Sequence, residues 1–298
     1  MAGIFIHQIL TPLTSPDELD PGFIVLDNRS NERPDWYEYW PIRRFLLNEP
    51  MEEDSFYGFL SPKFKQKTNL SSSAARAFVG IETAKTDVVL LSPSLQWTAY
   101  HLNVFQFGDV AHPGLLSTAS RFFERIGHAT NLDSMVTTSR NEVYSNYIVA
   151  KPRFWRAWLD VTERLFAIAE SSTDPLGDAL RAPTTYRGGR SAQMKVFIVE
   201  RIATWMLAGS SNFVARARDP FIARSRIYKL PFAIVCDALK IAYLANGRQE
   251  GYKDVFMLLS RMGKLFGWQM RIGNALGFEN VRSYLKKLAS RWDDAGRS

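Results

Sequence analysis

The chain has 298 residues, of which 46% are hydrophobic and 13% aromatic, so a sizeable core is expected and global disorder is not. Its one cysteine, Cys236, excludes an intrachain disulfide and any multi-cysteine metal site. The net charge of +7 leaves nucleic acid, anionic lipid and phosphorylated ligands to be weighed as partners.

The N-terminal "IFIHQIL" reads as a short buried strand, and it is preceded by neither the basic start nor the long apolar core of a signal peptide. "GFIVLD" is a second strand, ending at Asp27–Asn28. The turn-forming "NRSNERPD" then leads into a helix over "WYEYWPIRRFLLN", which Asp35 can cap and in which Pro41 must fall in the first turn or make a kink. "SFYGFL" is a third strand, "SPKFKQKTN" a basic loop, "SSSAARAFVGIETA" a capped helix and "DVVLLSP" the clearest strand of all. Further on come a helix in "PGLLSTASRFFERIG", a strand in "EVYSNYIVAKP" and an amphipathic helix in "PRFWRAWLDVTERLFAIAE" with Pro152 at its start. The turn-rich "SSTDPLGDALRAPTTYRGGRS" is the kind of connection that can order over a ligand. Next is one long helix around "MKVFIVERIATWML", and "NFVARARDPF" closes this part of the chain.

From Tyr228 onward the pattern is helical only, and this third of the chain carries the basicity. Residues 221–298 hold 14 Lys and Arg against 6 Asp and Glu, whereas residues 1–220 hold 23 against 24. Strands alternating with helices up to position 220 predict an α/β domain, and the remainder a basic helical appendage. No run reaches the length of about 18 apolar residues that a spanning helix needs.

Zinc, P-loop, dinucleotide and hydrolase signatures are missing: the four histidines lack ligand spacing, and no G-x-G-x-x-G, P-loop or G-x-S-x-G occurs. Two polar clusters follow predicted strands, where α/β domains present ligand sites. In "LDNRSNERPDW…WPIRR" and "SPKFKQK", Asp27 can accept from a ribose or base, and Arg43, Lys63 and Lys67 can meet phosphate. Trp36, Tyr37, Tyr39 and Trp40 either stack on a base or sugar or pack in the core. Glu200 is a carboxylate on a helix apolar nearly all round, and it requires either a task or an ion partner such as Arg43 or Arg153.

Taken together, "LDNRSNERPDWYEYWPIRRFL", "FYGFLSPKFKQKT", "NVFQFGDVAHPGLL", "YSNYIVAKPRFWRAWL" and "MKVFIVERIATWML" resemble bacterial glycosyltransferase-like proteins of capsule and O-antigen biosynthesis, over about residues 4–221. The resemblance implies a GT-A-like fold over residues 1–220 and transfer of a sugar from a nucleotide-sugar donor to a saccharide or lipid-linked acceptor. It implies Asp27 and Asn28 at the nucleotide, Ser61 and Lys63 near the donor phosphates, and Asn146 and Tyr147 on the acceptor side. Glu200 falls on the late helix that often carries the catalytic carboxylate. Where most GT-A enzymes have Asp-x-Asp on a divalent metal, this chain has Ser92-Pro93-Ser94, so metal independence is expected, with basic side chains stabilising the leaving diphosphate. The expected setting is the cytoplasm, with peripheral contact at the inner face of the plasma membrane through the C-terminal helices. Nucleic acid is disfavoured, because the chain lacks a recognisable binding motif. A non-catalytic nucleotide-sugar or polysaccharide-binding partner of a biosynthetic complex is the alternative.

Overall fold

The computed structural model describes residues 3–81, 85–91, 98–128, 130–185, 191–218 and 230–275, with the backbone alone for 230–231 and 264–275. The chain divides into two compact units, Met1–Pro93 with Asn103–Pro220, and Ser94–Leu102 with Phe221–Ser298. The division near residue 220 coincides with the change in sequence pattern. The short Ser94–Leu102 segment belongs with the helical unit, which nothing local in the sequence indicates.

The first unit is mixed α/β, built on a six-stranded, mostly parallel sheet of order β2-β1-β3-β5-β4-β8. Its strands are β1 (Ile4–Leu10), β2 (Ile24–Asp27), β3 (Phe56–Leu60), β4 (Val88–Leu90), β5 (Ile148–Ala150) and β8 (Ala215–Ala217). β5 runs antiparallel to both its neighbours. A two-residue-deep alternation puts Ile9, Tyr57, Phe59, Val88 and Leu90 on one face, and Ile6, Phe56, Leu60 and Val89 on the other. Both faces are covered, which is why β3 and β4 read as continuous apolar runs.

The larger core lies against α1 (Tyr39–Asn48), α4 (Val104–Ala111), α5 (Leu115–Arg125), α6 (Pro152–Glu170) and α8 (Met194–Gly209). Pro152 occupies the first position of α6, where its missing N–H costs nothing. Trp155 of α6 is fully buried and donates its indole N–H to the Tyr57 carbonyl at 2.9 Å, tying helix to sheet. On the opposite face lie α2 (Phe64–Thr68), through Phe64, and α3 (Ser72–Gly80), through Ala75 and Val79. Ser71 caps α3 by accepting the Ala74 N–H at 3.2 Å, as its position before an apolar run predicts. Separately, β6 (Pro183–Thr185) pairs antiparallel with β7 (Ser191–Gln193) in the connection between α7 (Pro175–Arg181) and α8, and β7 contacts α8.

Several expectations need correcting. Asp35 does not cap α1: it lies in a 3-10 turn, Pro34–Trp36, and its carboxylate is taken by Arg33 and Lys195. Pro41 does fall in the first turn of α1. The basic loop contains the short helix α2, ended by Asn69 in the left-handed conformation. In "EVYSNYIVAKP" only the last three apolar residues form a strand, because Ser145 and Asn146 both have φ of 52°, which breaks extended pairing. The turn-rich connection contains α7, capped by Asp174.

In the second unit, α9 (Leu230–Ala245) and α10 (Glu250–Ala275) form a helical hairpin. Cys236 is buried there, and Lys240, also buried, donates to the His101 carbonyl at 3.1 Å. The third expected helix, "ENVRSYLKKLASRWDD", lies outside the described residues. Among the described residues no helix is long and apolar enough to cross a membrane.

Candidate functional site

The strand order reverses beside β1. The chain goes from β1 outward to β2, then returns across β1 to β3, so the crevice at the carboxyl ends of β1 and β3 is a topological switch point. Gln8 of β1 is buried there. Its amide nitrogen donates to the Ser61 and Pro62 carbonyls at 3.4 and 3.2 Å, and its oxygen accepts the Asp20 N–H at 2.9 Å. A glutamine inside the apolar run "IFIHQIL" was a legible sign of this site that motif reasoning passed over.

Because β5 is antiparallel, residues just before it reach the same edge as residues just after β3. The register Gly58↔Val149 continues to bring Ser61 and Tyr147 together. Their hydroxyls are hydrogen-bonded at 2.5 Å and both side chains are buried. Burial pushes the Tyr147 phenol well above its ordinary value, and the bond from Ser61 offsets part of that. Glu38 and Glu200 both raise it further through their charge, so both carboxylates stand within electrostatic reach of this phenol. Lys67 on α2 is exposed, donates to Ser145 Oγ at 3.0 Å and sits 5.3 Å over the Tyr147 ring. Asn146 is 4% exposed, and its side-chain carbonyl has no partner among the described residues. Two consecutive left-handed residues holding a buried, unsatisfied amide form a strained arrangement, costing on the order of 1–3 kcal/mol, of the kind that collects at ligand sites. Lys63 is exposed at the start of α2.

Asp27 and Asn28 stand at the end of β2, separated from β3 by β1 and hence by about 10 Å. Asn28 is buried, its N–H bonded to the Leu10 carbonyl at 2.8 Å and its side-chain carbonyl unpartnered. Asp27 is exposed and paired with Arg29 at 2.6 Å, and the bonds from Arg29 hold its carboxyl at about 2. With Arg29, Ser30 and Arg44 it lines an open surface depression of about 590 Å³. Arg43 is not part of either group. It joins α1 to α6 through Glu163, at 2.5 and 2.7 Å, and lies 4.3 Å over Phe166. The phosphate role expected for it gives way to a structural ion pair, which Tyr39 completes by donating its hydroxyl to Glu163. Of the four aromatics, Trp36 and Tyr39 are core and Trp40 half-buried, and Tyr37 alone is exposed, with φ 49° and ψ −132°.

Helix α8 resolves the question of its charges in an unexpected way. Its least buried stripe is Val196, Glu200 and Leu207, and the Glu200 side chain is 34% exposed. The two cations are the buried groups. Lys195 is 1% exposed, bonded to Asp35 at 2.5 Å, 3.8 Å from Glu170 and 4.0 Å over the Trp36 ring. Arg201 donates to the Val104 and Phe197 carbonyls at 3.1 and 2.6 Å, and stands 4.0 Å from the Glu200 carboxylate. Neither Arg43 nor Arg153 is the partner imagined for Glu200, since Arg153 is bound to Asp87 at 2.8 Å. A helix apolar nearly all round thus leaves Glu200 part-exposed and buries Lys195 and Arg201 instead.

Glu38, Ser145 and Arg218 escaped sequence reading. Arg218, at the end of β8, donates to the Thr68 carbonyl of α2 at 3.2 Å. The Ser92-Pro93-Ser94 segment and the "YRGGR" stretch lie outside the described residues. Among the described residues no group of three or more His, Cys, Asp or Glu side chains could hold a metal ion. In comparisons with protein families, curated proteins and solved structures, the chain matches none of them.

Proposed function

We propose that this chain is a glycosyltransferase with a GT-A-like first unit, which moves a sugar from a nucleotide-sugar donor to a growing bacterial surface polysaccharide or lipid-linked acceptor. The observation that carries the reading is the meeting of Ser61, Asn146 and Tyr147, with Lys67 over the Tyr147 ring, at the carboxyl edge of a mostly parallel sheet, where the charge of Glu200 also acts on the Tyr147 phenol. These residues come from three separate stretches of the sequence. The edge supplies hydroxyl and amide groups for sugar recognition, a cation for phosphate and a part-exposed carboxylate for a hydroxyl proton. Asn28 and Asp27 then lie along the same edge for the nucleoside, with Lys63 toward the phosphates. Glu200 acts as general base on the acceptor hydroxyl. Basic side chains, not a metal, stabilise the leaving diphosphate. Incubation with a panel of nucleotide sugars, read by mass spectrometry for donor consumption and product, tests the reading; no consumption of any donor overturns it.

The second reading, a non-catalytic nucleotide-sugar or polysaccharide binder, is favoured by Ser92-Pro93-Ser94 standing where an acidic pair is expected. It predicts retention of a donor without turnover in the same panel. For either reading, we further propose that the basic helical unit brings the protein to the inner face of the plasma membrane. Val255, Met257, Leu258 and Met262 of α10 are exposed beside Arg261, the composition of a surface-seeking helix.

A further inference from the structure

A second recess lies at the other end of the strands that carry the candidate site. β1 and β3 run parallel, so their carboxyl ends share one edge of the sheet and their amino halves lie away from it. There Phe5, His7 and Tyr57 of the sheet, Phe45 of α1 and the 50–52 connection line a cavity of about 400 Å³. Its walls are aromatic. The rings of Phe5 and Tyr57 stack with centroids 5.1 Å apart, and Phe45 stands 6.3 Å from Tyr57 and 4.8 Å from the His7 imidazole. The volume suits a molecule of one or two rings.

His7 is the polar group in this wall. It is 7% exposed, and its buried Nδ1 has no hydrogen-bond partner among the described residues. Burial lowers its pKa more than the Gly58 backbone raises it, so at pH 7 the ring is neutral and offers one acceptor nitrogen. The rim has a different chemistry. From Phe45 to Phe59 the chain carries Glu49, Glu52, Glu53 and Asp54 and no lysine or arginine. All four are exposed, and Arg156 meets only Glu53, at 2.6 Å. Glu52 is fixed to the wall: its N–H is donated to the Tyr57 hydroxyl at 2.9 Å, and its carboxylate accepts Ser55 at 2.7 Å. An apolar cleft with an acceptor inside and negative charge at its mouth is complementary to an aromatic ring that bears a donor and a positive charge.

We propose that this cavity is a binding site for a small aromatic amine. The ring lies among Phe5, Phe45 and Tyr57, a ring N–H or O–H is donated to His7, and the ammonium meets the carboxylates of the rim. The site is separate from the sugar-transfer reading and does not rest on it.

NMR titration of the full chain with tryptamine and tyramine tests the proposal, with indole-3-acetate as a ligand of the same ring and opposite charge. At least one amine should shift the His7 imidazole nitrogens and the amides of Phe5, His7 and Tyr57, and should bind at least tenfold more tightly than indole-3-acetate. No shift at His7 with either amine, or shifts confined to Ser61 and Tyr147, overturns the site. Equal binding of amine and acetate overturns the class of ligand. H7F keeps an aromatic ring and removes the acceptor, so affinity for the amine falls about tenfold; unchanged affinity overturns the role of His7. Should H7F fail to fold, E52Q on the exposed rim weakens the amine several-fold without weakening indole-3-acetate. Equal affinity of E52Q and wild type for the amine overturns the contact at the rim.

Discussion

On α8 the carboxylate of Glu200 is part-exposed, while the ammonium of Lys195 is buried. A lysine can sink into the core because its four methylenes are apolar and Asp35 meets its ammonium, with the Trp36 face beneath. Burial pulls its pKa down and the bond to Asp35 pulls it back. Glu200, one-third exposed, needs no buried counter-ion to be stable. We therefore expect Glu200→Gln to leave the unfolding midpoint within about 1 kcal/mol of wild type. Sugar transfer should fall by roughly a hundredfold or more. Wild-type transfer by a folded Gln variant would remove Glu200 from the catalytic role. The same network sets a pH dependence. Burial alone would raise the Asp35 and Glu170 carboxyls, but bonds from Arg33 with Lys195, and from Arg33 with Trp36, hold them below 3.8 and 4.5 respectively. Carboxyls depressed in the folded state contribute stability above their unfolded values, and that contribution is lost as pH falls through and below them. Lys195 is protonated in both states in that range and adds nothing to the slope. Denaturant midpoints measured from pH 6 to pH 2.5 should thus fall less steeply in Asp35→Asn than in wild type.

At the scale of elements, α8 is organised by what it buries. Arg201 lies against α4, where a Cβ added to Gly108 would come within 2.6 Å of the guanidinium Nε. Glycine in a helix interior ordinarily costs about 1 kcal/mol relative to alanine. Here it makes room for a buried cation whose hydrogen bonds go to backbone carbonyls of both helices. Gly108→Ala is accordingly expected to destabilise by about 1–3 kcal/mol, against its own helix propensity. Thermal unfolding decides: a stabilised variant would mean that Arg201 can leave its site freely. α4 was missed in the sequence because its eight residues are too few for clear periodicity. Asn103, which accepts the Phe105 and Gln106 N–H groups at 2.9 and 3.0 Å, was the available signal.

For the whole molecule, two expectations concern how it meets its ligands. Transfer, or donor retention if turnover is absent, should survive EDTA. Complete loss that manganese or magnesium restores would show that metal ligands had been overlooked. Flotation with liposomes should recover more protein on anionic than on neutral vesicles, since each well-placed cation adds about 1 kcal/mol toward an anionic surface. Equal, negligible recovery would eliminate direct lipid contact. Lys253 of α10 is paired with Glu250 at 3.1 Å, while Arg261 is exposed.

Local pattern alone determined the α/β alternation, the strands β1 to β4, the long α6 and α8, and the change to helices after residue 220. These follow from runs and periods of apolar residues within ten or twenty positions, which fix local conformation before any distant contact forms. It also marked Lys67 in a polar cluster after a strand and Glu200 on an apolar helix, whereas Ser61, Asn146 and Tyr147 were singled out only by the family resemblance. Only the tertiary structure decided that Ser61 and Tyr147 meet, because the antiparallel insertion of β5 between β3 and β4 pairs residues about 90 and about 60 positions apart. It alone decided that Arg43 serves Glu163 and that Lys195, not Glu200, is buried. Charged side chains are assigned by the partners that arrive from distant elements, and a sequence window of one helix contains none of them.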